Sequence, residues 1–347
     1  KRTLSLPVLL TASALFPYFA NGGQVQSRSN ATGASASRLE DFVAALEAKI
    51  APMSLVGTDL YIDGVNVIVR NGTGFDDVVN GRGNVVVGHD TAVDGSGSHN
   101  FVVGIGHRYT SHGGLVTGRD NAITAPYATV KGGRNNAASG AYSSVLGGEL
   151  NVASGPYASV VGGRQNSATE SHSVVAGGAG NVADGVESVV VGGVANQASG
   201  QQSVVAGGEL GRALGHRSTV VGGTESVARA AESTLVGGFR NENLGSGPSA
   251  VQRSVMVGGG LNRMADELGV AIGGGAAVVE AYCGVAIGGS QPGIELGEYG
   301  VAAGGLRNRV TGGHASTIGG GRDGTVTGDW AANSGGLNRW VTATHGW

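Results

Sequence analysis

One phrase of 15 residues, written eight times between residues 123 and 242, limits what this chain can fold into more than any other feature. A pair of glycines sets the frame, at 132–133, 147–148, 162–163, 177–178, 192–193, 207–208, 222–223 and 237–238, always 15 residues apart. A small apolar run stands just before each pair, as in Ser159-Val160-Val161 and Thr219-Val220-Val221. An alanine recurs nine residues before each pair from the second onward (Ala138, Ala153, Ala168, Ala183, Ala198, Ala213, Ala228). An asparagine often follows the glycines (Asn136, Asn151, Asn166, Asn181, Asn196, Asn241). A short fixed period marks a repeat architecture.

The unit is too short for a propeller blade or a helical pair. Its apolar run is β-branched, Gly-Gly breaks it, and nothing in it has helical periodicity. It therefore holds one or two strands of about four to five residues and two turns. Coils of that size stack about 4.8 Å apart, each pairing its backbone with the coils above and below. The glycines serve positive φ or tight backbone approach at one corner. A Gly-rich disordered linker is the competing reading, but such linkers carry no valine ladder in strict register.

Numbering each unit from its alanine, position 8 reads Val145, Val160, Val175, Val190, Val205, Val220, Leu235. Position 9 reads Leu146, Val161, Ala176, Val191, Ala206, Val221, Val236. Adjacent strand residues point to opposite faces, so both faces of this strand are apolar and both need cover. One face fills the thin coil interior. The other needs a partner, and a second copy of the chain is the natural one; a monomer with one exposed small-residue face is the alternative.

The phrase Ala-Ser-Gly-x-x-Ala/Ser-Ser-Val-x-Gly-Gly, at 138–148 and 153–163, resembles the head repeat of the trimeric autotransporter adhesins, the YadA-type head. Residues 84–88 and 97–107 also resemble secreted proteins built from such repeats. The similarity covers roughly residues 81–340. It implies an all-β solenoid, a left-handed parallel β-roll with three chains around one axis. There are two departures. The usual head unit has 14 residues where this one has 15. The chain also reaches Trp347 without the alternating, aromatic-girdled strands of a membrane barrel, so it is not expected to be an autotransporter itself.

Composition excludes several classes. Among 347 residues only 14% are charged and the net charge is −3, so no basic surface for nucleic acid is expected. Aromatics are 5%, too few for an ordinary globular core but enough for a solenoid, whose coils touch only their neighbours. A single cysteine, Cys283, allows neither an intrachain disulfide nor a metal cluster, and reads as a small apolar residue inside a coil.

Along the chain, residues 1–20 read Lys-Arg and then an apolar run, as in a secretory signal peptide, which leaves no transmembrane span in the mature chain. A retained anchor is the alternative, weakened by Pro7, Pro17 and the shortness of the run. Residues 21–36 read as a flexible linker. Residues 37–53 form a coiled-coil helix: Leu39, Val43, Leu46, Ile50 and Met53 make a heptad seam, Ser37 caps its start and Pro52 ends it. A trimerising collar is expected, on the strength of the head resemblance. Residues 54–83 make neck strands, with Asp59–Ile62 and an alternating run Val65–Val69. Residues 84–340 are the head, opening on irregular early coils, and 341–347 are a C-terminal tip. A six-residue insertion, 243–248, breaks the register, after which valine gives way to Ala-Ile. About 17 coils would make a rod roughly 80 Å long. Asn30-Ala31-Thr32 and Asn71-Gly72-Thr73 match the glycosylation acceptor pattern.

No catalytic constellation emerges, and neither an enzyme nor a cofactor is expected. His89, His99, His107 and His112 lie near Asp90 and Asp94, and trimerisation could bring copies of one histidine onto an axis, but turn histidines that hydrogen-bond are commoner. Glu149, Glu170, Glu187, Glu209 and Glu225 read as solvated turn charges rather than a carboxylate pair for polysaccharide cleavage. Three function classes stay open: an extracellular trimeric adhesin or fibre, binding surface glycans or matrix proteins; a structural appendage or surface-layer protein without a ligand; and an ice-binding solenoid, which would need threonine ladders that position 6, mostly serine, does not supply. The helix precedes the head, so the C-terminus reads as the free end. All three tryptophans lie there, Trp330, Trp340 and Trp347. They form either a binding tip, with Asp329, Asn333, Asn338, Arg339 and His345 beside them, or a cap that plugs the last open coil.

Overall fold

The computed structural model describes residues 31–342 except 63, 90–91, 246–252, 266–267, 281, 296–297 and 313. The N-terminal apolar segment, Asn30, most of the linker, Asp90, His345 and Trp347 lie outside the described residues. The chain divides into two units between Ile68 and Val69.

The first unit holds one helix and one hairpin. The helix runs Ala31–Ile50, not 37–53. Residues 31–36 belong to it rather than to a linker, because Ala31, Ala34 and Ala36 are the best helix formers and outweigh the roughly 1 kcal/mol that Gly33 costs. It stops before Pro52, which has no amide hydrogen and disfavours helical backbone at Ala51. Met53 is therefore not on the seam; it starts the strand Met53–Val56, paired antiparallel with Asp59–Ile62. Val43 is half-buried, while Leu46 and Phe42 are exposed. The run Val65–Val69 is not a strand: no other strand pairs with it, and Val65, Val67, Ile68 and Val69 are all exposed.

The second unit is a parallel β-solenoid. Each coil gives one short strand to each of two ladders. One ladder climbs from Val85–Val87 through Phe101–Ile105, Leu115–Arg119, Thr129–Val130 and Ser144–Val145 to Ala332–Asn333. The other has 16 strands, from Arg108–Tyr109 to Trp340–Val341. In the regular region every register step is one repeat, as in Val145↔Val160 and Ala153↔Ala168. Single-residue bridges such as Arg134↔Glu149↔Arg164 mark a third line of coil-to-coil contact. Strands of two residues suffice because the amides of the turns also bond to the next coil, as Glu149 N–H does to Gly163 O (3.0 Å) and Leu146 N–H to Val160 O (3.0 Å).

Two apolar columns run through the interior. Position 8 (Val145, Val160, Val190) and position 1 (Ala138, Ala153, Ala183) are fully buried and form one continuous core along the unit. Over three coils the two positions exchange volume: where position 8 shrinks to Ala271, Ala286 and Ala302, position 1 grows to Val279, Ile294 and Val310. Elsewhere both positions are large, as at Met256 with Met264 and Ile318 with Val326. The insertion begins later than 243: Asn243 pairs with Met264 at position 1, so the extra residues follow it.

A buried asparagine column binds the coils to one another. Asn151 donates through Nδ2 to Gly147 O of its own coil (2.9 Å) and Gly163 O of the next (2.9 Å). Its Oδ1 accepts the backbone amide of Asn166 (3.0 Å). The pattern repeats from Asn121 to Asn196. His107 begins the column: its Nδ1 accepts the Asn121 amide (3.3 Å), which leaves Nε2 to donate to Val103 O (3.1 Å).

The glycine pair divides its work. At Gly148 φ is +90°, and a Cβ would collide with Gly163 O of the next coil. Gly147 has neither constraint: its φ is outside the left-handed region and no atom lies within 4 Å of a Cβ built there. The early coils explain the first glycine. The steps Phe101↔Leu115 and Leu115↔Thr129 are one residue shorter than Thr129↔Ser144. There the strand runs unbroken through Gly104↔Gly118, whereas the longer coils insert Gly132 or Gly147 as a bulge between positions 9 and 11.

Asn166→Ala strands Gly162 O and the Asn181 amide, while Gly178 O keeps the Arg164 amide. At about 1–3 kcal/mol per stranded buried group, the expected loss is about 2 kcal/mol or more, read from urea unfolding. Ala183→Val should cost about 1–3 kcal/mol by overpacking, and adding Val190→Ala should recover at least half of it.

Candidate interaction surface

Only one of the two apolar strand faces is covered within a chain. Position 9 is exposed at Leu146, Val161, Val191, Val221 and Val236, and the row continues at Val257, Ile272 and Ile287. Across the glycine corner, Leu150, Val194, Leu210, Phe239 and Leu261 add exposed apolar side chains on the same edge. Between these two rows run Gly147, Gly162, Gly177 and Gly192, each with open space where a Cβ would stand. The result is one apolar row beside a bare backbone line, with scattered apolar side chains on the far side among charged and polar ones such as Glu149, Arg164 and Glu209. Scattered exposed hydrophobics need no explanation, but a continuous row of this length does.

Charges on the flanks repeat with the coils. Arg134 bonds to Glu149, whose carboxyl is held below the usual glutamate range by that hydrogen bond and by the guanidinium charge. Arg253 does the same to Glu232 through a 2.9 Å hydrogen bond. Arg240 pairs with Glu225 (2.5 Å), which raises its own pKa. Glu187 accepts from Gln202 Nε2 (2.7 Å). These carboxylates are paired from coil to coil and are not a facing acid–base pair. Cys283 stands at a turn with φ +54° and is half-buried, not inside a coil; burial, then Glu298, push its thiol pKa up.

The histidines do not converge. His89 is exposed; His99 Nε2 accepts the Asn71 amide (3.3 Å); His107 serves the asparagine column; His112 meets the Tyr127 ring edge-on at 5.2 Å. Among the described residues no group of three or more His, Cys, Asp or Glu is placed to hold a metal. Asn71, part of a glycosylation pattern, is buried and donates to Phe75 O and Val78 O (both 3.0 Å), so its amide is already committed.

The tryptophans stand apart. Trp330 occupies the turn at position 5 with φ +54° and is 62% exposed. Trp340 sits in the last strand and is 72% exposed. No ring contact joins them among the described residues. Neither plugs the last coil, which corrects the cap reading for both. The interior column ends instead on Asn333, a polar residue at position 8, whose Nδ2 donates to Arg339 O (3.3 Å) and whose Oδ1 accepts the Gly335 amide (3.1 Å). The sequence signal was there: asparagine stands where every earlier coil from Val102 onward carries an apolar residue. Asp329, expected beside a tip, is used internally, accepting the His314 amide (2.8 Å).

No helix among the described residues is long and apolar enough to cross a membrane. No family model matches the chain, and no curated protein matches it in sequence.

Because both rings are exposed, Trp330→Ala and Trp340→Ala should each change stability by no more than about 0.5 kcal/mol, the range of ordinary surface substitutions. Thermal unfolding of each variant checks this; a loss of several kcal/mol would restore the cap.

Proposed function

We propose that this chain is a secreted, non-enzymatic fibre or adhesin head that associates with copies of itself, three around one axis, as the resemblance to YadA-type head repeats implies. The observation that carries the reading is the open glycine row. A single chain gives Gly147, Gly162, Gly177 and Gly192 no steric or left-handed reason to lack a side chain. Close approach of a neighbouring surface supplies one, since only glycine lets another backbone or side chain come that near. The exposed valines beside the row supply the driving force, at about 25 cal/mol per Å² of apolar surface removed from water. The heptad spacing of Leu39, Val43, Leu46 and Ile50, with Leu46 exposed, fits the same assembly from the first unit. Surface glycans or matrix proteins are the proposed targets, with Trp330 and Trp340 as the exposed aromatic contacts.

Sedimentation equilibrium of the full chain at micromolar concentration tests the assembly, with three copies expected. Gly147→Leu and Val191→Asp change groups that face open solvent in one chain, so circular dichroism should stay unchanged while the mass falls toward one copy. Gly148→Ala, which collides with Gly163, should instead unfold the coil. A wild-type monomer refutes the proposal. Loss of surface adhesion by the Trp330→Ala, Trp340→Ala double variant, with assembly intact, separates an adhesin from an appendage without a ligand.

A further inference from the structure

The turn at position 5 places one side chain per coil on a single line, and its first members are aromatic. Tyr127, Tyr142, Tyr157 and His172 follow one another, each bonded to the previous turn through its backbone amide, as in Tyr142 N–H to Pro126 O (2.9 Å) and Tyr157 N–H to Ala141 O (2.9 Å). Tyr127, Tyr142 and Tyr157 share nearly one backbone conformation, with φ of +58°, +59° and +58°. Identical backbones aim identical side chains the same way, and the rings stack. Tyr127 and Tyr142 have centroids 5.0 Å apart and planes 16° from parallel; Tyr142 and Tyr157 are 5.0 Å apart and 2° from parallel. The three are 43%, 50% and 52% exposed. Each ring face meets its neighbour's, so the faces are not free to stack on sugars. What solvent reaches is the line of ring edges, where the phenol oxygen and the carbons beside it lie.

We propose that this ladder is an oxidative cross-linking site, at which adjacent tyrosines of one chain couple to dityrosine. The co-reactant is hydrogen peroxide acting through a haem peroxidase, which takes electrons one at a time. Each of two neighbouring phenols loses one electron and its hydroxyl proton. The resulting phenoxyl radicals join carbon to carbon, Cε to Cε, beside the oxygens. The hydrogen on each bonded carbon then leaves as a proton while a proton returns to each oxygen, restoring both phenols. In total two tyrosines and one hydrogen peroxide yield one dityrosine and two waters. Radical coupling requires two phenols to meet within the radical lifetime, and a solenoid that holds them permanently stacked meets that requirement by proximity. The product is a covalent staple between successive coils, across a stack otherwise held by hydrogen bonds. It forms within a chain and does not depend on association between chains. The pair Tyr282 and Tyr299 is the internal contrast: their centroids are 6.2 Å apart and their planes 86° from parallel, edge to face.

The test treats the full chain with horseradish peroxidase and hydrogen peroxide, then reads dityrosine fluorescence on the band of single-chain mass. Tryptic peptides locate the bond. Coupling of Tyr127 to Tyr142 joins the peptide 120–131 to 135–164, while coupling of Tyr142 to Tyr157 leaves 135–164 intact but two hydrogens lighter. Tyr142→Phe keeps a ring in the stack and removes the phenol common to both pairs; it should cut the single-chain signal at least five-fold. Tyr282→Phe should leave it unchanged, and circular dichroism before oxidation should be the same for all three proteins. Dityrosine confined to multi-chain bands, or undiminished in Tyr142→Phe, overturns the proposal.

Discussion

Each coil of the second unit is hydrogen-bonded only to the coil before it and the coil after it, and that requirement disciplines everything else. A backbone that pairs upward and downward at every turn must repeat its corners at one spacing, or amides are stranded in the interior. The asparagine column is the side-chain part of the same condition. At the corner where strands end, the side-chain amide of Asn151 or Asn166 donates to one carbonyl of its own coil and one of the next, and offers an oxygen to the next coil's amide. Where the column lapses, as at Gly211, the incoming amide still finds Asn196 below it, so the break falls between coils rather than inside a bond.

Two apolar columns run side by side through the interior, and over part of the unit they vary by exchange. Val190 beside Ala183 and Ala286 beside Val279 or Ile294 are two solutions to one width. The outside is freer, and there the same period produces ladders of different chemistry. Along position 5 the stacked rings of Tyr127 to His172 give way to the paired chain Glu187, Gln202, Arg217 and Glu232. Such exposed pairs add little each to stability. Their regular spacing satisfies each charge from the coil next to it.

The second glycine of each pair is an internal necessity, since the next coil's carbonyl occupies the space of its Cβ. The first is an addition, absent at Gly104 and Gly118, where the strand passes the corner without a bulge. At Gly132, Gly147, Gly162, Gly177 and Gly192 it leaves open space where a Cβ would stand, whereas at Gly207, Gly222, Gly237, Gly258, Gly273, Gly288 and Gly304 a positive φ of +60° to +89° already favours glycine within the chain.

Much of this was legible from the period alone. A strict 15-residue repeat with β-branched runs admits stacked parallel coils and little else, and positions 1 and 8 were identifiable as apolar columns. The replacement of Val65–Val69 as a strand, the start of the helix at Ala31 and the exposure of Trp330 and Trp340 were not legible. Each depends on whether some other segment lies alongside, and a local pattern carries no information about its neighbours. The division of labour within Gly-Gly was equally hidden, because two identical letters differ only in what the adjacent coil places against them. The periodicity determined the coil, since backbone pairing between like units depends on spacing. Only the tertiary structure decided which apolar face was covered, how the asparagines were satisfied and which aromatic rings met, since those depend on where one coil sets its side chains against the next.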